Sequence, residues 1–378
     1  MSSTDDFELL EAQSITYSRK MDCHSCKGTV ESDEHEKTNI SYGAEEESAY
    51  ALLEIIDISK MITESDNQFF SPKLRRTATE KQRRLATRIT DTVRTHLYRL
   101  KEAFPNHRFN PYVTLLENWF SEGTSAQRAA HEWRSLVRRG PLAELQCAAE
   151  TLNHAIDKIR SEANSRNFKL ALSTFSRPAR KNRLALRSYI EALFVAHSRL
   201  VAIRLDLSYA KPPLWPADTN QGVSIDLVKQ HWLALHRAFH KDLSDIHLEG
   251  FAYKIEYGRT KGFHIHTLLF LNGAKVREDV SIAKRIGEFW KTKITNNRGL
   301  YFNCNAVKNK YKSCGIGPID WHNHEKREHL LMAADYLTKA DLYLTLFIKG
   351  RRAFGKGISP PARSGSGRPR NLMKAHTV

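Results

Sequence analysis

The residue periodicities predict an α+β chain, a helical front half followed by an antiparallel sheet, and three observations carry that reading. Apolar residues recur at three- and four-residue steps through much of residues 49–180. Two-residue alternation marks Val201–Tyr209, and two adjoining runs, Phe251–Tyr257 and the aromatic- and aliphatic-rich Phe263–Leu271, read as strands joined by a tight turn. Between residues 201 and 305 the patterns follow one another as strand, helix, strand, strand, helix, strand.

Residues 1–48 are polar and acidic and read as a disordered tail. Residues 1–50 hold 12 Asp and Glu against 4 Lys and Arg, a balance of −8, so a total of +17 leaves +25 for the rest. Within this tail Cys23 and Cys26 have the spacing of half a zinc site, but no second pair follows, since Cys147, Cys304 and Cys314 are scattered. Residues 49–180 form a basic helical region. A short apolar helix covers Ala51–Ile58, and a longer one covers Leu74–Phe104, with Leu85, Ile89, Val93, Leu97 and Leu100 on its inner stripe. Further helices are expected over Tyr112–Phe120, Ser125–Arg138 and Pro141–Ile159, the last with proline at its start. Arg166–Lys181, basic and broken by Arg177-Pro178, is expected to be irregular and to hold the domain boundary.

Residues 181–348 make the second domain. A helix over Asn182–His197 leads into Val201–Tyr209, which sets Val201, Ile203, Leu205 and Leu207 on one face and Arg204, Asp206 and Ser208 on the other. A proline-rich loop with Pro212, Pro213 and Pro216 follows. Ser224 is a suitable N-cap for a helix reaching Leu243. After the two adjoining strands come a helix over Glu278–Thr292, a strand over Leu300–Asn305, a short edge strand from Gly315 and a helix over Glu325–Leu344. This order is that of a split βαβ unit, ferredoxin-like or RRM-like, with helices on one sheet face and the other face free. Residues 349–378, rich in Arg, Gly, Pro and Ser, read as a basic disordered tail.

The excess of bases suggests a polyanionic partner, nucleic acid before membrane. No apolar run is long enough to span a bilayer, and the acidic start lacks a signal peptide's apolar core, so a cytoplasmic location is expected. Five cysteines in a long chain read as reduced thiols.

The candidate chemistry lies in the adjoining strands. A turn between Gly258 and Gly262, centred on Thr260, sets residue 256 across from residue 264. Glu256 then projects beside His264, on the face that also carries His266, and two imidazoles with a carboxylate suit a divalent ion. A lone His-x-His arises about once by chance among 17 histidines, and His322-Asn-His324 is a second example in a polar stretch. The helix near the C-terminus adds Tyr336, Lys339 and Tyr343. At about 100° per residue the two tyrosines fall within about 20° of each other and Lys339 about 60° away. A histidine pair on a sheet and a Tyr/Lys helix are together the parts of metal-assisted transesterification by a tyrosine.

On Ile203-Arg-Leu-Asp-Leu207, Gly262-Phe-His-Ile-His266, Gly315-Ile-Gly317 and Tyr336-Leu-Thr-Lys339, residues 185–357 resemble the HUH single-strand DNA endonucleases of rolling-circle replication. More narrowly they resemble the prophage and inovirus replication proteins of the YagK/YfjJ C-terminal type. The resemblance implies Mg²⁺ or Mn²⁺ held by His264, His266 and Glu256. It also implies Tyr336 as the nucleophile that becomes a 5′-phosphotyrosine, Lys339 steadying the phosphate, and Tyr343 either a second nucleophile or a packing residue. Arg204 and Asp206, on the wet face of the first strand, are candidates for DNA contact or metal support, and Lys308, Lys310, Lys312, Arg351 and Arg352 are candidate contacts to single-stranded DNA or an origin hairpin. No Gly-x-x-x-x-Gly-Lys-Ser/Thr is present, so a host helicase and polymerase would act in trans. A catalytically silent nucleic-acid-binding protein is the alternative, with Phe270 and Phe302 as stacking residues, as is a relaxase or transposase of the same nuclease class.

Overall fold

The computed structural model describes residues 43–97, 100, 107–210, 223–258, 262–339, 344–346 and 352–361. Its front half is helical. Helix α1 (Gly43–Thr63) is followed by α2 (Glu80–Asp91), strand β1 (His107–Phe109), α3 (Pro111–Phe120), α4 (Ser125–Arg139) and α5 (Leu142–Asn164). Leu52, Ile55, Phe70, Ile89, Leu116, Trp133, Leu152 and Ile156 are buried together in one core.

Two sequence expectations change here. The single helix expected from Leu74 is broken, because Pro72–Arg75 winds as a 3₁₀ turn and Thr79 starts a new helix. The Thr79 hydroxyl accepts from Gln82 N–H while the Gln82 side chain accepts from Thr79 N–H, a reciprocal cap that fixes the break. The continuation beyond Leu97 to Phe104 falls, apart from Leu100, outside the described residues. The expected irregular boundary at Arg166–Lys181 is instead part of one helix, α6 (Arg166–Ala196), with Pro178 inside it. Phe168, Phe175, Ala179, Leu186, Ile190 and Leu193 keep a continuous buried stripe through the proline, and that packing outweighs the missing N–H.

The sheet is antiparallel. Its strands are β2 (Arg199–Tyr209), β3 (Leu248–Gly258), β4 (Gly262–Asn272), β5 (Gly299–Asn303), β6 (Gly317–Asp320) and β8 (Phe354–Lys356), β7 (Leu344–Leu346) pairing separately with β1. The order is β5-β2-β4-β3-β8, and β6 pairs with the other end of β2. Helix α7 (Ile225–Ala238), capped by the Ser224 side chain, and α8 (Asp279–Phe289) lie on one face. There Val201, Ile203, Leu205 and Leu207 meet Val228, Trp232, Leu235, Ala283, Ile286 and Trp290.

The opposite face is not free, as the sequence suggested. Half of it is covered by α6 and by α9 (His324–Lys339), whose Tyr189, Ile190, Leu193, Leu330, Ala334 and Leu337 pack on Leu200, Ala202, Ala252, Leu268 and Phe270. Phe270 is fully buried there, so it has no surface to offer a base. The helix expected to reach Leu344 is described only to Lys339, and Leu344 begins a strand.

The segment expected as a tail contributes β8, pairing Lys254 with Phe354 and Ala252 with Lys356. The glycines that made it look like a linker let it in: a side chain at Gly355 would collide with the Tyr253 ring, and one at Gly357 with the Tyr189 hydroxyl. Residues 1–48, expected as a tail, lie outside the described residues apart from the first turns of α1. The proline-rich loop at 212–216, Arg351 and residues 362–378 lie outside them entirely.

Candidate metal centre

The pairing of β2, β4 and β3 lays the site out as a grid on the half-covered face. His264 lies across from Glu256, and His266 sits between Asp206 and Lys254. Leu268 sits between Arg204 and Ala252 in the next row. From Leu268 onward the rows, Arg204 apart, are apolar and lie under α6 and α9, whereas the first rows are polar and lie at the edge of that cover. The site is the polar margin of a buried face.

Within it Glu256, His264 and His266 present ligand atoms that all lie within 4.8 Å of one another. Glu256 Oε2 is 3.3 Å from His266 Nε2 and 3.5 Å from His264 Nε2. In both imidazoles Nδ1 carries a hydrogen. His264 Nδ1 is 3.2 Å from the Gly262 carbonyl, which can only accept, so this nitrogen carries the hydrogen. His266 Nδ1 donates to Asp206 Oδ1 at 2.6 Å. Each Nε2 thereby faces the carboxylate of Glu256, and a carboxylate behind a ligating histidine is how such rings are oriented. Two imidazole nitrogens and one carboxylate oxygen are a donor set for a divalent ion, and the geometry accommodates one.

The electrostatics of the ion-free cluster follow from its crowding. Burial alone would lower His266, but Asp206 and Glu256 outweigh it and raise the imidazole to about 9. Burial would raise both carboxyls, yet His266 and Arg204 hold Asp206 below its usual range, and His266 and His264 do the same for Glu256. Burial pushes the neighbouring Cys304 thiol up to about 12, which makes it a packing residue and no nucleophile. Exchanging Asp206 for asparagine leaves the shape but removes the charge behind His266. Affinity for Mn²⁺ is expected to fall about 10–100-fold, read by calorimetric titration.

Tyr336 reaches the same place from α9. Its ring is 6.1 Å from that of His266 and nearly perpendicular to it, and the Arg204 guanidinium lies over it at 4.7 Å. Its neighbour Asp335 anchors the helix, accepting from Arg187 at 2.9 and 2.7 Å and pairing with Arg183 at 2.9 Å, both on α6. Lys339 ends α9, and Tyr343 lies outside the described residues.

The remaining sequence candidates separate. Asp206 stands behind His266 rather than on open surface. Lys308 is occupied, since its Nζ donates to both oxygens of the buried Asp279 at 2.7 and 2.8 Å. That carboxylate also accepts from Asn305, whose Oδ1 receives the Arg204 backbone N–H, so the group braces β2. Lys310, Lys312 and Arg352 are exposed. Sequence reasoning missed Lys254, 2% exposed and beside His266, although its parity with Glu256 places it on the same face. It also missed Asp335, whose partners Arg183 and Arg187 lie about 150 residues away.

Among the described residues no helix is long and apolar enough to cross a membrane. No curated protein and no solved structure matches the chain. The segment that carries the sheet, the helices across it and the Glu256/His264/His266 cluster does match a family model: residues 183–357 are similar to the YagK/YfjJ C-terminal domain.

Proposed function

We propose that the chain is a metal-dependent endonuclease that nicks and rejoins single-stranded DNA through Tyr336, serving rolling-circle replication of a phage or prophage element. The observation that carries this reading is the Tyr336 ring set against His266, one of three convergent metal-ligand side chains. A phenol beside a cation site is a nucleophile placed where a phosphate would be held. The strand order β5-β2-β4-β3, with α7 and α8 as the intervening helices, supports reading the sheet as a split βαβ unit. Similarity to a family of prophage proteins supports the biological setting.

In this reading His264, His266 and Glu256 hold Mg²⁺ or Mn²⁺, which when bound offers positive charge to the phosphate oxygens. The Tyr336 oxygen attacks phosphorus while the bond to the 3′ oxygen breaks. The phenol gives up its proton and the departing oxygen takes one, leaving a 3′-OH and a 5′-phosphotyrosine. The phosphodiester energy is kept in the new ester, so a later 3′-OH reverses the step and reseals the strand. Exposed Lys310, Lys312 and Arg352 supply contacts to the strand beyond the site. A silent binding sheet would use aromatic stacking, and the burial of Phe270 speaks against it.

The test is incubation of the full chain with single-stranded DNA and Mn²⁺, followed by denaturing electrophoresis. An SDS-resistant protein–DNA adduct that disappears with EDTA is the expected result. No adduct with any divalent ion, across a panel of hairpin and unstructured strands, sinks the proposal.

A further inference from the structure

Arg204 is a buried cation whose hydrogen-bonding capacity is left partly unused. Its side chain is 11% exposed, and its Nε, with almost no contact to solvent, has no hydrogen-bond partner. The nearest carboxylate oxygen, Asp206 Oδ1, is 3.8 Å away, beyond hydrogen-bond reach, and the same oxygen is already taken by His266 at 2.6 Å. A buried donor with no acceptor is costly, and native proteins keep few of them. This one is held in place with care. The Arg204 backbone N–H is fixed by Asn305 Oδ1 at 2.9 Å, and the guanidinium lies over the Tyr336 ring at 4.7 Å. It thus sits between the candidate nucleophile and the second row of the ligand grid.

The charges of the pocket say what kind of group is missing. Arg204 and Lys254 balance Asp206 and Glu256, so the charge of a bound divalent ion is left to be met by an anion. Guanidinium is the side chain best shaped for phosphate, with several N–H groups in one plane.

We propose that Arg204 is a second phosphate-binding group of the site, its Nε–H donating to a non-bridging oxygen of the scissile phosphodiester while its face stays stacked on Tyr336. This rests on the nicking proposal for the same site and adds a contact made by the chain itself. The ring platform and the anion contact then belong to one residue, so the phosphate is delivered in register with the nucleophile.

The experiment uses the full chain carrying Tyr336→Phe, which keeps the ring and removes the reaction, with Mg²⁺ and a fluorescent single strand of about 20 nucleotides. Affinity is measured by anisotropy over a series of salt concentrations. Adding Arg204→Met is expected to weaken binding about tenfold and to lower the salt slope by ~0.7, the change for one lost phosphate contact on a single strand. Arg204→Lys, which keeps the charge, is expected to retain the slope. An unchanged slope and affinity in Arg204→Met, with an unchanged melting temperature, overturns the proposal and leaves Arg204 as a ring platform only. Should Arg204→Met fail to fold, a neutral methylphosphonate at the scissile position is compared with the natural strand in Tyr336→Phe with and without Arg204→Gln, which keeps a polar side chain and loses the charge. Equal losses in the two overturn the contact, and a smaller loss with glutamine supports it. Because the readout needs no chemistry, the nicking reading can fail by a missing wild-type adduct while the slope still reports the anion contact.

Discussion

Exchange of Tyr336 for phenylalanine is expected to abolish the covalent protein–DNA adduct, a fall of at least ~10³-fold in the rate of its formation. The substitution removes one oxygen and keeps the ring that Arg204 covers and that meets His266 edge-on. The neighbouring anchor is untouched, since Asp335 with Arg183 and Arg187 holds α9 against α6. Melting temperature and Mn²⁺ affinity should therefore stay close to wild type. This separates loss of a nucleophile from loss of a structure. An adduct that survives in Tyr336→Phe but vanishes in Tyr343→Phe would move the nucleophile along the chain. An adduct that survives in both would remove tyrosine chemistry from the reading.

The second large effect is expected at Glu256. Its Oε2 is the atom that both imidazole Nε2 groups face, at 3.3 and 3.5 Å, so Glu256→Ala takes away the one negative ligand. Loss of an orienting partner alone costs ~10–100-fold in affinity, and loss of a charged ligand should reach the upper end or beyond. Calorimetry with Mn²⁺ measures it, and unchanged binding would exclude Glu256 from the ligand set.

The same titration carries a pH signature. In the ion-free protein His266 is raised to about 9 by Asp206 and Glu256 in spite of burial, so at neutral pH an ion must displace its Nε2 proton. Affinity should rise by about tenfold per pH unit up to about 9 and then level off. Stability of the ion-free protein should run the other way. A group whose pKa is higher in the folded state stabilises fully below its ordinary value, here about 6.5, and that contribution is lost as pH rises through about 9. On the acid side Asp206 and Glu256, both held below their usual range, contribute above about 4.5 and lose that contribution as the pH falls. A melting temperature for the ion-free protein that climbs between pH 7 and 9 would contradict the arrangement of charges around His266.

What could be read in advance, and what could not, divides along a physical line. Local interactions were legible. The alternation of Val201–Tyr209, the Ser224 cap and the glycine-bounded turn are decided within a few residues, so β2, α7 and the pairing of Glu256 with His264 follow from short-range rules. The Thr79 and Gln82 cap was local as well, and overlooking it merged two elements into one. Pro178 misled for the opposite reason: a local breaker was overruled by a buried stripe that runs the length of α6.

The sequence by itself determined the two-part character of this protein, a helical front and an antiparallel sheet, and put Glu256, His264 and His266 on one face, because side-chain parity and turn length need no tertiary context. Only the tertiary structure decided what surrounds them. The cover that α6 and α9 lay over half of that face, the Asp206 carboxylate behind His266, the buried Lys254, and the setting of Tyr336 between Arg204 and His266 depend on contacts between residues up to about 150 positions apart. Those are settled by which apolar faces must be buried against each other, a sum over the whole chain that no single stretch contains.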